Sequence, residues 1–342
     1  MTEQEKDLQI DNELYENWRF TVDKGQTPLR IDKYLMARIE NTSRNKIQKA
    51  ARNDCIRVNN VPVKSNYKVK GNDLIQVFLT QEPREIEVKP ENIPVPIVYE
   101  DNDFIIVNKP ANMVVHPAYG NYEHTLVNAL TYHFLQEPYD KEPIKPLLVH
   151  RIDKNTTGLL VVAKTEAAQT NIAEQFFYHT TKRTYTALVW GDFQEDEGTI
   201  DKNVARDIKD RKKMAVFEDG TGKRAITHYK VIERFGYVTL IECQLETGRT
   251  HQIRVHMSSI GHPLFNDLTY GGDVILKGTT FTKYKQFVQN CFDMIPRQSL
   301  HATTLGFVHP TTKKDVFFQS ELPEDLTCVI NKWRIYANNK EY

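Results

Sequence analysis

Two segments of this chain concentrate groups suited to nucleophilic and acid–base chemistry. In His150-Arg151-Ile152-Asp153-Lys154-Asn155-Thr156-Thr157-Gly158-Leu159-Leu160 one carboxylate, Asp153, stands between two cations. It precedes an apolar run, Leu159 to Ala163, that reads as a buried strand. Roughly ninety residues later comes Thr247-Gly248-Arg249-Thr250-His251-Gln252-Ile253-Arg254-Val255-His256. An anionic carboxylate can serve as a covalent nucleophile. In an apolar pocket it resists ionisation, and a cation a few ångströms away counters this by roughly one to three pKa units. Arg254 is the candidate cation, sharing a helical face with His251 three residues before it. His251 and His256 are five apart without the Glu of an H-E-x-x-H pair, so no zinc site is expected. Asn108-Lys109-Pro110-Ala111 lacks the Asp of a guanine-binding motif, and no P-loop is present. A kinase is excluded by the missing Gly-rich loop and D-F-G.

These residues need a scaffold, and strands dominate it. Phe104 to Val107, Leu159 to Ala163, Thr184 to Trp190, Ala225 to Arg234 and Tyr237 to Glu246 are rich in β-branched and aromatic residues. Helices are expected at Thr125 to Leu135, Glu166 to Phe177 and Thr250 to Ser259, the last stopped by Gly261. The hairpin-like pair Ala225 to Glu246 favours antiparallel order, and the fold class is α+β with a mixed, mainly antiparallel sheet. The organisation is a flexible tail over 1–17, a small module over 18–80, a Pro-rich linker over 81–96 and a main domain over 97–342.

The whole chain balances Lys+Arg 45 against Asp+Glu 45, but the charge is unevenly placed. Leu29 to Lys70 holds eleven Lys/Arg and three Asp/Glu, a local balance of +8, while the first seventeen residues hold six acids and only Lys6. Ile31, Leu35 and Ile39 share a face of one short helix, and Ser43 can cap a second carrying Arg44, Lys46, Lys49 and Arg52. Arg57 begins a strand, followed by an Asn59-Asn60 turn. With Arg30 and Lys33 these cations form an electrostatic site for a polyanion. The four cysteines make no C-x-x-C pair and suggest neither disulfides nor a metal centre. No secretory or transit signal and no membrane span is apparent, so the chain is expected in the cytoplasm.

The two chemical segments together resemble the active-site motifs of the RluA family of pseudouridine synthases. Asn108 to Pro117, Arg183-Thr184-Tyr185-Thr186-Ala187-Leu188-Val189-Trp190-Gly191, Gly222 to Thr227, Gly261 to Asp267, Leu300 to Ala302 and Leu305 to Pro310 match further blocks in order. Asn112 and Asn266 stand where that family usually has Gly, Arg183 where it usually has Lys, and Asp273 to Ile295 matches no block. Leu29 to Leu35, Ser43-Arg44, Ile56 to Asn59 and Lys70 to Asp73 resemble the S-four type of RNA-binding domain.

The resemblance implies isomerisation of uridine within RNA. The C1′–N1 bond breaks, the base turns, and it rejoins through C5, with no redox change, cofactor or metal. It assigns Asp153 as nucleophile, Arg254 as its partner, Tyr185 as the residue stacked on the uracil and a candidate for proton abstraction, and Arg151 as the side chain filling the space of an extruded base. Attack at C1′ or addition to the ring both remain open. The implied partner is large-subunit ribosomal RNA, as for the D-type synthases, bound by a monomer. The rival reading is a non-catalytic RNA-binding factor of ribosome assembly on an inactive synthase fold, and the joint presence of Asp153, Tyr185 and Arg254 argues against it.

Overall fold

The computed structural model describes residues 14–339 except 23, 25–27, 37, 40, 41, 43, 80–87, 118–120, 137–143 and 211–212. The Ser43 cap, the tail up to residue 13 and the first part of the linker lie outside the described residues. The chain divides into two compact units, Met1–Glu87 and Val88–Tyr342.

The first unit runs β1 (Tyr15–Thr21), β2 (Leu29–Arg30), α1 (Ile31–Met36), α2 (Arg44–Arg52), β3 (Ile56–Val58), β4 (Val61–Pro62), β5 (Lys68–Val69) and β6 (Leu74–Leu79). Its main sheet has the order β1-β6-β3-β4, all antiparallel. Asn59 and Asn60 have φ of 51° and 67°, the two left-handed residues a tight hairpin requires. Ile31 and Leu35 of α1 and Ile47 and Ala51 of α2 pack on Ile56, Ile75 and Val77. The first helix is shorter than its apolar spacing suggested. It ends at Met36, and Ile39 joins the core from the turn beyond.

The second unit begins β7 (Ile97–Glu100), β8 (Phe104–Lys109), α3 (Leu126–Gln136), β9 (Leu147–Leu148), β10 (Thr157–Ala163), α4 (Glu166–Phe177) and β11 (Lys182–Trp190). It continues β12 (Glu197–Arg206), β13 (Met214–Phe217), β14 (Lys223–Arg234), β15 (Val238–Leu245) and α5 (Gln252–Ser259). Last come α6 (Thr282–Met294), β16 (Leu300–Val308), β17 (Asp315–Gln319) and α7 (Glu324–Asn338). The sheet has the order β13-β12-β14-β15-β11-β16-β10-β8-β7, with β17 beside β16 and β9 beside β10. Among the described strands only β10 and β16 pair in parallel. The architecture is therefore α+β and mainly antiparallel, as expected.

Period-two alternation explains how this sheet is buried on both faces. Ile105, Val107, Leu160 and Val162 point into the core shared with α3 and α5. Phe104, Ile106, Leu159 and Val161 point the other way, against Ile172 and Phe176 of α4. Continuous apolar runs are the mark of such doubly covered strands. Gly158 shows why the Asp153 segment carries a glycine. Its φ is +112°, and a Cβ there would lie 2.2 Å from the carbonyl oxygen of Ala302 on β16. Among the described residues no helix is long and apolar enough to cross a membrane.

The stretch Asp273 to Ile295, unmatched by motifs, contains α6. Its Tyr284, Val288 and Phe292 pack with Trp333 of α7 on Trp190 and Phe265. Asn266 joins this helix to the site-forming half. Its φ is 58°, and its buried Nδ2 donates to the carbonyls of Phe292 (3.1 Å) and Ile295 (2.8 Å). Asn266→Gly should therefore lower stability by about 1–2 kcal/mol although Gly suits the backbone, because two buried carbonyls lose their donor. Asn266→Ala should lower it further by adding left-handed strain. Denaturant unfolding checks both; Gly at or above wild-type stability would contradict this account.

Candidate active site

Asp153 lies in the loop between β9 and β10, where its carbonyl accepts from Thr156 N–H at 3.1 Å. Tyr185 is on β11, opposite Ala302 of β16, and Arg254 is on α5, which follows β15. Because β15, β11, β16 and β10 are consecutive neighbours in the sheet, three chain-distant residues converge. They share a cavity of about 430 Å³, whose wall includes His150, Arg151, Arg183, Arg249 and His251.

Arg254 uses all three guanidinium nitrogens. Nη1 donates to Asp153 Oδ2 at 3.0 Å, while Nε and Nη2 donate to the two oxygens of Asp267 at 2.7 and 2.8 Å. The guanidinium also lies 5.1 Å from the Tyr270 ring centroid. Burial works against its charge, but the Asp267 hydrogen bonds and the two carboxylates outweigh this and hold its pKa above the ordinary value. Asp267 is fully buried, and its Oδ1 accepts N–H groups of Thr269 and Tyr270 as well. Sequence reasoning missed Asp267 and Tyr270. The signal available for Asp267 is its place at the end of the matched block Gly261 to Asp267, directly after the Asn-for-Gly departure.

His251 adjoins the same carboxylate, with Nε2 3.9 Å from Asp153 Oδ2. The Tyr270 hydroxyl accepts from Met214 N–H at 3.0 Å and is also hydrogen-bonded to His251 Nδ1 at 3.0 Å. Where that hydroxyl is the donor, a neutral His251 carries its proton on Nε2, the nitrogen nearer Asp153. Burial pulls His251 below the usual imidazole range, against the charge of Asp153, which favours that neutral form. The expected helix over Thr250 to Ser259 starts at Gln252, because His251 is itself left-handed with φ 55°.

The other residues divide into walls and supports. Tyr185 is 6 % exposed, and burial pushes its hydroxyl upward, with the charge of Arg183 opposing. A neutral phenol presents a stacking ring and a donor, not a ready base. His150 holds the loop: its Nε2 accepts from Val161 N–H at 3.0 Å and its ring stacks on Phe176 at 4.4 Å. Burial lowers it to about 3, so it stays neutral. Arg151 is exposed at the cavity wall.

Lys109 is fully buried and donates to the carbonyls of Pro110, Met113 and Lys154 at 2.8–3.0 Å. Burial pulls it to about 7 against the attraction of Asp153. Three carbonyl acceptors match the three N–H groups of an ammonium, so this geometry favours the charged form.

In the first unit, Arg30 and Arg44 donate to the buried carboxylate of Asp32 at 2.9–3.1 Å, joined by Gln48. The Arg30 hydrogen bond leads in holding Asp32 well below the carboxylate range. These two expected RNA contacts are thus partly engaged within the fold. Lys33, Lys46, Lys49 and Arg52 are exposed, and Arg57 lies over the Phe78 ring at 4.7 Å.

Comparison with known proteins identifies the family of both units. Residues 103–259 match the RNA pseudouridylate synthase family, and residues 29–75 match the S4 domain. An uncharacterised RNA pseudouridine synthase of Chlorobaculum parvum is 44 % identical, the match covering 92 % of this chain and 96 % of that protein. Ribosomal large subunit pseudouridine synthase D of Zymomonas mobilis is 41 % identical over 91 % of this chain and 95 % of its own. The structure of human RNA pseudouridylate synthase domain containing 1 superposes with a TM-score of 0.50 at 26 % identity, over 74 % of this chain and 98 % of that one. The chain belongs to the RluA-type RNA pseudouridine synthases: it is an isomerase acting on uridine in RNA.

The shared guanidinium predicts strong energetic coupling. Arg254→Ala or Asp267→Ala leaves a buried partner uncompensated and should cost about 3–5 kcal/mol. The double variant should cost clearly less than the sum of the two. Additive costs in denaturant unfolding would mean the pair is not the anchor described.

Proposed function

We propose that Asp153 is the nucleophile for uridine isomerisation and that the target uridines lie in large-subunit ribosomal RNA. The observation carrying the first part is the Asp153 carboxylate beside the cavity, fixed by Arg254 at 3.0 Å, with Tyr185 in the same wall. The relatives named large-subunit synthase D support the second.

A uridine within an RNA stack hides its glycosidic bond and must be extruded, at a cost of a few kcal/mol. Arg151, exposed at the rim, occupies the vacated space. The uracil enters the cavity against the Tyr185 ring. Attack at C1′ or at the ring makes the same demand, an anionic oxygen whose position does not drift, and Arg254 meets it. The base then detaches, turns within the cavity and rejoins through C5. The C5 proton leaves and N1 gains one, so product and substrate are isomers. His251, with Nε2 3.9 Å from Asp153, helps enclose the carboxylate between steps.

The first unit docks RNA through the exposed cations Lys33, Lys46, Lys49 and Arg52 together with Arg30, Arg44 and Arg57. Phosphate contacts of this kind position an RNA without reading its sequence. In this reading the enzyme acts as a monomer in the cytoplasm, where its substrate is.

Mapping pseudouridine in ribosomal RNA from cells lacking this gene tests the substrate. A small set of large-subunit positions should revert to uridine and be restored by the wild-type gene. An unchanged map would contradict the assignment.

Arg254→Lys should retain more single-turnover activity than Arg254→Ala, since Lys keeps the charge without the planar fork. Wild-type rates for both would remove Arg254 from the mechanism. Deleting residues 1–80 should weaken binding of ribosomal RNA. It should also flatten the plot of log affinity against log salt, by roughly 0.7–0.9 for each phosphate the shortened protein leaves unneutralised. Unchanged affinity and slope would refute the docking role.

A further inference from the structure

We infer that Phe177 and Tyr178, at the end of α4, form a stacking site for an unpaired nucleobase of the RNA adjacent to the target uridine. This rests on reading the cavity as the uridine site. Phe177 is 73 % exposed and Tyr178 70 %, with ring centroids 5.1 Å apart in an edge-to-face arrangement. A single exposed aromatic residue is ordinary. Here two consecutive rings stand in water, and Phe177 belongs to the wall of the cavity that holds Asp153 and Tyr185.

The helix end that carries the pair is held by its neighbours in the second unit. The preceding Phe176 lies under the His150 ring and 5.0 Å from the Arg183 guanidinium. Gln175 donates to Val308 O and accepts from Val308 N–H, both at 2.7 Å, tying the helix end to β16. Tyr178 N–H closes on Glu174 O at 2.8 Å and Thr180 N–H on Gln175 O at 3.0 Å, around a left-handed His179. With the backbone fixed in this way, only side-chain freedom is left to lose when a base stacks on the rings.

Charge and chemistry favour a nucleobase over a protein partner as the occupant. Arg151, Arg183 and Arg249 line the same cavity and suit a phosphodiester chain entering it. Arg183 is 7 % exposed, and its buried Nε has no hydrogen-bond partner among the described residues. Extruding the uridine strips stacking from the bases beside it. An aromatic platform at the rim returns that stacking without regard to sequence, because every base has a π-face.

The test is single-turnover pseudouridine formation against enzyme concentration, on ribosomal RNA from cells lacking the protein. Phe177→Leu should raise the half-saturating concentration at least about fivefold, the lower end of what one base–aromatic stack contributes. The maximal rate should change much less, and Phe177→Tyr should behave as wild type. Wild-type half-saturation in Phe177→Leu, or equal impairment of Leu and Tyr variants with matched unfolding midpoints, overturns the inference. If the wild type modifies no uridine in that RNA, the substrate assignment fails instead. The stacking site is then read from a short single-stranded RNA carrying 2-aminopurine beside a uridine. Its fluorescence should be quenched by wild type and Phe177→Tyr but not by Phe177→Leu; equal quenching by all three overturns the site.

Discussion

The guanidinium of Arg254 grips Asp267 through Nε and Nη2 and Asp153 through Nη1, and the two contacts differ in kind. Asp267 is fully buried, whereas the Asp153 side chain is 20 % exposed and faces the cavity. Removing charges from water costs several kcal/mol per ion, recovered only where geometry and further hydrogen bonds are good. The buried Arg254–Asp267 pair meets that condition with a two-point fork and extra N–H donors to Asp267. It therefore fixes one remaining nitrogen, Nη1, at the place where Asp153 must stand. Lys109 works on the same loop from below, since its ammonium holds the Lys154 carbonyl next to Asp153. His251 completes the surround from the α5 side.

The legible parts of this molecule are those in which signal is local. The strands at Phe104 and Leu159 announce themselves by unbroken apolar runs, because both faces of the sheet are covered, and the one at Thr184 by its β-branched and aromatic residues. The helix Glu166–Phe177 is readable to its ends, with Thr165 accepting from Ala168 N–H at its start. By contrast β12 alternates polar and half-buried residues at the sheet margin, and nothing in its composition separates it from a loop. Asp32 on a short helix reads as a solvated acid, yet it is buried because Arg30, Arg44 and Gln48 converge from outside the helix. Asp267 is hidden for a similar reason: its partner is thirteen residues away, across a turn and not along a helix face. Asp153 and Arg254, 101 residues apart, are joined by the family pattern alone; spacing could not have paired them.

The two Asn-for-Gly departures from the family pattern keep the backbone and differ in what they add. Asn112 has φ 62° and Asn266 φ 58°, so both adopt the left-handed conformation that glycine would supply. Asn tolerates this better than most residues. Asn266 goes further, because its side chain binds the last turn of α6 and thereby fastens the segment unmatched by motifs to the residue beside Asp267. The Asp153 loop, the anchor pair and the outer helices thus form one connected scaffold within the second unit.

Every proposed step depends on Asp153 as the attacking group, and purified Asp153→Asn tests that role most directly. Asn is nearly isosteric and can still accept from Arg254, so fold and RNA affinity should match wild type. Single-turnover pseudouridine formation should fall to the uncatalysed background, since the amide cannot act as an anionic nucleophile. Pseudouridine accumulating above background in a preparation free of wild-type enzyme would contradict the central claim.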